Sequence, residues 1–249
     1  MFVLSAHCCW SLPVQRMISL EGARNVRDLG GLIGQSGQPL RRHRFVRADS
    51  LESLHAMDVI RLLEYGITID IDLRSKHERQ QWGDALSNIA EVDYVPVPLL
   101  DGLEQHLASL PASLGELYVA ALQHCQHGFR DIFQTMVAQP DAGILFHCSA
   151  GKDRTGMIAA LLLDLAGVSH SQIVLDYAQS ASNLTGLLDK LAEQNASELK
   201  HLLGSEPEHM ALFLSELSQQ HGGAPGYLRH IGLDQAAVAT LRSSMFEAA

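Results

Sequence analysis

Residues 143–166 constrain this chain more than any other stretch. Gly143 to His147 (GILFH) reads as a compact buried strand, and Thr155 to Ala166 reads as an apolar helix. Only the loop Cys148-Ser149-Ala150-Gly151-Lys152-Asp153-Arg154 joins them. Backbone N–H groups converge at a strand–loop–helix junction, where the helix dipole presents its positive end. Gly151 lets such a loop curl tightly and bring its amides close to a ligand. A nest of this kind binds a tetrahedral oxyanion.

The rest of the chain supplies neighbours for that strand. Residues 20 to 34 read as a short strand pair with glycine turns, and Arg44 to Ala48 as a short strand. Ser50 reads as an N-cap for a helix running from Leu51 to Leu63 and ended by Gly66. Ile67 to Leu73 and Glu91 to Leu99 read as strands, with Pro96 and Pro98 taking the second out of the sheet. Leu114 to Ala138 has one long helical pattern, and helices are expected over 170–181, 184–195, 206–220 and 234–246. Strands separated by helices predict an α/β fold with a central, mostly parallel sheet flanked by helices, and a helical C-terminal third. No linker separates residues 169–249 from the rest, so 18–249 reads as one domain.

Composition narrows the function. The 28 acidic and 18 basic side chains give a net charge of -10, against the cationic surface that non-specific nucleic-acid binding needs. A local basic pocket for an anion is compatible with that balance. The longest apolar run, Met157 to Leu163, stops at Asp164, far short of the roughly 20 residues that stable membrane insertion requires. Residues 1–17 have no Lys or Arg ahead of their apolar stretch, unlike a secretory signal, and read as a disordered tail or as residues upstream of a start at Met17. The four cysteines are too few for a disulfide scaffold and suit a reducing, cytoplasmic setting, with secretion by another route left open.

Cys148 is the reactive candidate. A thiolate is the nucleophilic form of cysteine, and a helix N-terminus, convergent amides and Arg154 all favour the anion. Thr155 can add a hydroxyl donor to the sulfur. Arg154 can return its planar fork to the cradle, where a guanidinium matches two oxygens of a phosphoryl group. An activated sulfur beneath an anion cradle suits phosphoryl transfer to sulfur, followed by hydrolysis. The run is not a nucleotide phosphate loop, because Phe146 stands where that pattern needs glycine. Two other uses of the same cradle stay open: a phospho-ligand-binding module without turnover, and a different thiol enzyme such as a sulfurtransferase.

HCSAGKDRTG, residues 147–156, resembles the signature loop of the protein tyrosine phosphatase superfamily. It is most similar to the bacterial and fungal tyrosine/lipid phosphatase branch. Asn25-Val26-Arg27-Asp28-Leu29-Gly30-Gly31, Arg47-Ala48-Asp49, Asp72-Leu73-Arg74-Ser75 and Asp176-Tyr177 extend the resemblance over roughly residues 20 to 232. It implies a phosphatase fold, no metal cofactor, and a phosphorylated protein or phosphoinositide as substrate. It also implies that Ser149, Ala150, Gly151, Lys152, Asp153 and Arg154 hold the phosphate. Breaking the P–O bond needs an acid. Asp101 stands where the resemblance to dual-specificity phosphatases puts a general acid, and Asp153 is the second candidate, lying inside the loop. Lys152 adds positive charge at the mouth or points into solvent. His147 is expected in the core, hydrogen-bonded to the loop backbone, with Arg74 as structural support. Asn25, Arg27 and Asp28 are expected to fix a turn near the sheet. His124 and His127 share a helix face, but two such groups do not make a zinc site. Oligomeric state is left open.

Overall fold

The computed structural model describes residues 16–107, 111–194 and 204–247. Its strands are β1 (Arg27–Asp28), β2 (Phe45–Ala48), β3 (Ile67–Asp72), β4 (Asp93–Pro96) and β5 (Gly143–His147). They form one sheet in the order β1-β2-β5-β3-β4. β1 is antiparallel to β2, and every other pairing is parallel. β5 is the central strand, with Phe45↔Ile144 on one side and Asp72↔His147 on the other. Its last residue therefore delivers the loop at 148–153 to the carboxyl edge of the sheet, where ligands of parallel α/β folds gather.

Helices cover both faces. They are α1 (Ala56–Glu64), α2 (Lys76–Gln81), α3 (Leu114–His124), α4 (Gln126–Ala138), α5 (Asp153–Leu165), α6 (His170–Gln194), α7 (Pro207–His221), α8 (Ala224–His230) and α9 (Gln235–Ser243). α5 buries Thr155 to Leu163 and Leu165, which is why its sequence is apolar almost all round. It packs on α6 and α8, while α3 packs on α7 and α4 on α9. Alternate residues of β2 and β5 divide between two cores: Phe45, Ile144 and Phe146 face the large helical side, and Val46 and Leu145 face α1. A register shift between Ile67 and Ile69 moves β3 from one core to the other, so Ile67 faces α1 while Ile69 and Ile71 face the large core.

Several boundaries differ from the sequence reading. The first long helix begins at Ala56, not Leu51. Ser50 instead gives its amide to the Ser149 carbonyl, and Asp58, in the first turn of α1, accepts the amides of Glu21 and Gly22. The pattern over 114–138 breaks at Cys125, which ends α3 and precedes α4. The two helices expected over 170–195 are one 25-residue helix, α6, with residue 195 outside the described residues. α8 lies between the helices expected over 206–220 and 234–246, and carries Pro225 in its first turn, where proline is well tolerated. Arg16 and Met17, placed with the tail above, belong to the fold: Arg16 pairs with Asp176 at 2.8 Å and Met17 bridges Arg27.

One buried ion cluster ties the chain's beginning to its helical third. Asp176 on α6 accepts Arg47 Nη1 at 2.6 Å, Arg16 Nη2 at 2.8 Å and Arg27 Nε at 3.2 Å. Burial opposes its charge, but the three guanidiniums outweigh burial and hold the carboxyl well below the usual range. A depressed carboxylate contributes stability above its unfolded value, near 4, and that contribution is lost as pH falls. Asp176→Asn should therefore lower unfolding free energy at pH 7 by about 3–5 kcal/mol, because it leaves buried arginines uncompensated. Urea titrations should show the gap between variant and wild type narrowing below pH 4.

Candidate active site

The loop after β5 turns on Gly151, whose φ of +64° places it in the left-handed region. A Cβ there would stand 2.5 Å from the Ala48 carbonyl oxygen, so both conformation and space require glycine. The loop's carbonyls are held outward. Asn25 Nδ2 donates to the Ala150 and Gly151 carbonyls at 3.0 and 3.1 Å, and Arg47 Nη2 donates to the Gly151 carbonyl at 2.9 Å. Asn25 is oriented for this because its Oδ1 accepts from Arg27 and from Asn183. Asp49 fixes the same segment by accepting the amides of Arg24 and Asn25. Asp28 anchors the next turn through Gly30, His43 and Tyr65. The segment 25–31 is thus built into the back of the loop.

Cys148 lies at the bottom, 1% exposed. Burial pushes its thiol up, but Arg154, the Thr155 hydroxyl and the Thr155 amide outweigh burial and hold it below the ordinary cysteine value. The buried Thr155 hydroxyl has no hydrogen-bond partner of its own among the described residues, which leaves its proton for the sulfur. Arg154 is gripped in fork-to-fork fashion by Glu78, with Nη1–Oε2 at 2.6 Å and Nη2–Oε1 at 2.7 Å. Burial works against both charges, yet the pairing pushes the Glu78 carboxyl well down and the Arg154 guanidinium up. Ser149 Oγ donates to the same carboxylate at 2.5 Å.

Glu78 is the residue that the sequence reading missed. Its signal was present. Ser75-Lys76-His77-Glu78 is a capping box, and the structure closes it with Glu78 N–H to Ser75 Oγ at 3.1 Å and Ser75 N–H to Glu78 Oε2 at 2.8 Å. A capping box just after β3 fixes Glu78 at the same edge of the sheet as the loop. Arg74 turns the other way. It is buried, binds Asp72 through Nε and Nη2, and donates to the Gly83 carbonyl and Asp84.

The two Asp candidates sit differently. Asp153 opens α5, its carboxylate taken by the Tyr118 hydroxyl and by Lys152 Nζ at 3.2 Å, and Tyr118 in turn meets the Tyr177 hydroxyl at 2.8 Å. Asp101 is exposed on the turn after β4 and has no hydrogen bond or ion pair among the described residues. It stands two residues beyond Leu99, hence within about 7 Å along the chain. Leu99 N–H bonds the Leu73 carbonyl, which also receives Arg154 Nη1 at 3.5 Å. Lys152 is not at an open mouth: it is 2% exposed, and its ammonium reaches the Gly204 carbonyl at 2.5 Å. His147 is buried in the core, with Nδ1 at 3.3 Å from the Cys148 carbonyl oxygen. His124 stacks on His106, and His127 meets Arg130; neither joins a group of three ligand-capable side chains among the described residues.

A loop with its carbonyls tied away and a clamped guanidinium beside a buried, acidified thiol suit thiol chemistry on a tetrahedral oxyanion. Comparison with known proteins gives the class its name. The model of the tyrosine phosphatase family matches residues 18–247, and the chain belongs to that family. It is a phosphoric monoester hydrolase. A tyrosine-protein phosphatase of Nostoc commune is 39% identical over 222 residues, covering 82% of this chain and 74% of that protein. The triple specificity protein phosphatase PtpB of Mycobacterium tuberculosis is 27% identical over 270 residues, covering 90% and 96%. The crystal structure of TpbA from P. aeruginosa aligns over 83% of this chain and 89% of its own, at 17% identity and a TM-score of 0.29. Among the described residues no helix is long and apolar enough to cross a membrane.

Thr155→Val keeps the shape of the side chain and removes the hydroxyl. Iodoacetamide alkylation followed against pH should show the Cys148 thiol titrating below about 8.5 in wild type and about one unit higher in this variant.

Proposed function

We propose that the chain hydrolyses phosphotyrosine in proteins through a cysteinyl-phosphate intermediate, with Cys148 as nucleophile. The observation that carries this reading is the depressed thiol of Cys148 beneath outward-tied carbonyls and the Glu78-clamped Arg154. The amides of residues 149–154 and the Arg154 guanidinium would take the three non-bridging oxygens of the phosphoryl group. In-line attack by sulfur then breaks the bond to the leaving phenoxide. Fork-to-fork pairing with Glu78 fixes the plane of the guanidinium before substrate arrives, so little ordering remains for the transition state.

Asp101 is proposed as the acid that protonates the leaving oxygen and then takes a proton from the attacking water. Neither of its oxygens has a partner among the described residues, and it lies two residues beyond Leu99, whose amide bonds the Leu73 carbonyl that Arg154 touches. One oxygen of Asp153 is already occupied by Tyr118 and Lys152, which suits a residue that braces the loop. Ser149, Thr155 and His147 act on the geometry and charge of the sulfur, and Arg74 acts beneath them. The related proteins named above are a tyrosine-protein phosphatase and a triple specificity protein phosphatase, which supports a phosphorylated protein as substrate. A reduced thiol is needed for attack, which supports work in a reducing compartment such as the cytoplasm.

Cys148→Ser should abolish phosphate release from p-nitrophenyl phosphate, and a mutant retaining its rate would refute the nucleophile. Asp101→Asn should lower kcat by about 10²–10⁴ and remove the basic limb of the pH–rate profile; unchanged behaviour would pass the acid role to Asp153. In a panel of phosphotyrosine and phosphoserine peptides with soluble phosphoinositide headgroups, kcat/KM should be highest for phosphotyrosine. Preference for a headgroup would overturn the substrate assignment while leaving the chemistry intact.

A further inference from the structure

Behind the signature loop lies a second, completely enclosed cluster of charge. His147 Nε2 is 3.1 Å from Asp84 Oδ2, 3.5 Å from Asp70 Oδ1 and 3.7 Å from Asp72 Oδ1. Asp70, Asp72 and His147 are 0% exposed. Arg74 closes the group by binding Asp72 at 2.7 Å and Asp84 at 3.2 Å, and Tyr94 donates its hydroxyl to Asp72 at 2.8 Å. Asp49, at the end of β2, faces the same ring from the other neighbouring strand, and Arg79 reaches Tyr94 from α2.

Hydrogen-bond logic fixes where the protons go. The Cys148 carbonyl can only accept, so Nδ1 of His147 carries a proton. Among the described residues Nε2 faces carboxyl oxygens, the nearest on Asp84 at 3.1 Å without an aligned hydrogen bond, so a proton there is held by the charge of the carboxylates. Neither Asp70 oxygen meets a well-aligned donor among the described residues, and its neighbours are the ring and the Asp84 carboxyl. A carboxyl in that position is served best by keeping its own proton and giving it to Asp84. The His147 ring and Arg74 then balance Asp72 and Asp84, while Asp49 is answered by the amides of Arg24 and Asn25.

We propose that Asp84, sharing a proton with Asp70, is a positioning residue for the nucleophile: it keeps His147 protonated on both ring nitrogens, so that Nδ1–H stays donated to the Cys148 carbonyl. The inference rests on Cys148 being the nucleophile. Titration directions agree with the geometry. Burial would pull the His147 ring down, but the surrounding carboxyls of Asp70, Asp84 and Asp72 outweigh it and raise the ring to about 9; with Asp70 keeping its proton, Asp84 and Asp72 are the charges left to hold the ring. Burial, reinforced by Asp84 and Asp72, pushes the Asp70 carboxyl well above the carboxylate range against the pull of His147. A raised histidine stabilises the fold fully below its unfolded value near 6.5, and that support is lost as pH rises through about 9.

The test is nitrogen NMR on the full chain labelled at its histidines, with the His147 signals assigned by His147→Gln. In wild type the ring should remain an imidazolium beyond pH 8. In Asp84→Asn it should lose its proton closer to pH 6.5, and the alkylation profile of Cys148 should move up by about one unit, a tenfold change in thiolate below that pH. The same variant should lose about tenfold in kcat with KM little changed, and Asp84→Glu should recover part of it. Asp70→Asn, which replaces one neutral group by another, should leave the ring charged. A wild-type ring that titrates near 6.5 would overturn the proposal, as would an unchanged Cys148 profile in Asp84→Asn. Retention of one equivalent of divalent metal after chelator treatment would overturn it too, since a metal on Nε2 displaces the proton. Should Asp84→Asn fail to fold, the wild-type titration decides alone. Failure of the Cys148 reading shows separately, as an ordinary alkylation curve in wild type.

Discussion

Amides can point at one spot only if the carbonyls between them point away, and a buried carbonyl needs a donor. That constraint organises this molecule. Asn25 and Arg47 meet the Ala150 and Gly151 carbonyls from behind, and Asp176 holds Arg47 in place. Residues far apart in sequence therefore serve one turn: a strand-edge asparagine, an arginine on β2 and an aspartate on α6. The helical third is tied to the sheet by charge as well as by apolar packing, because Asp176 also accepts Arg16 and Arg27 from the chain's first described segment.

A second level of organisation concerns where charge is fixed. Glu78 closes a helix cap, orients Arg154 and accepts from Ser149. One carboxylate thus couples the start of α2 to two positions of the loop. A cap alone contributes about 1 kcal/mol, but a cap that also fixes a guanidinium shapes the electrostatics of the cradle. Behind the loop, Asp72 and Asp84 do the same for Arg74 and His147. One arginine–carboxylate pair, Arg154 with Glu78, is partly exposed beside the loop, and the other, Arg74 with Asp72, is sealed in the core.

How much of this was readable from sequence follows from the range of each interaction. The GILFH strand, the loop on Gly151 and the apolar helix that follows are local patterns, and they appear at the residues expected, as do β2 and most of β3. The parallel sheet followed from alternation of strands and helices. Boundaries failed where a tertiary bond overrode a local signal: Ser50 looked like a cap but bonds Ser149, and the helical periodicity across Cys125 gave no sign of its break. Asp70 and Asp72 looked like the polar face of an alternating strand. Only the pairing of β3 with β5 reveals that they face His147 inside the protein. The roles of Asp58, Asp84 and Tyr118 in joining distant segments were not readable, because the partners concerned, Glu21, His147 and Asp153, lie more than thirty residues away.

The arginines have a last consequence, at long range. Arg27, Arg44, Arg47 and Arg74 are among the largest fully enclosed side chains, so much of a small cationic inventory never meets solvent. Buried aspartates such as Asp72 and Asp176 answer those arginines, so what diffusing molecules sense is an acidic exterior close to the formal net charge of -10. A dianionic ester then arrives uphill, slowed by repulsion and captured only at contact distance. Dissolved salt shortens the reach of that repulsion, to about 8 Å at physiological strength. Encounter should therefore quicken with moderate salt, opposite to enzymes that steer their substrates by attraction.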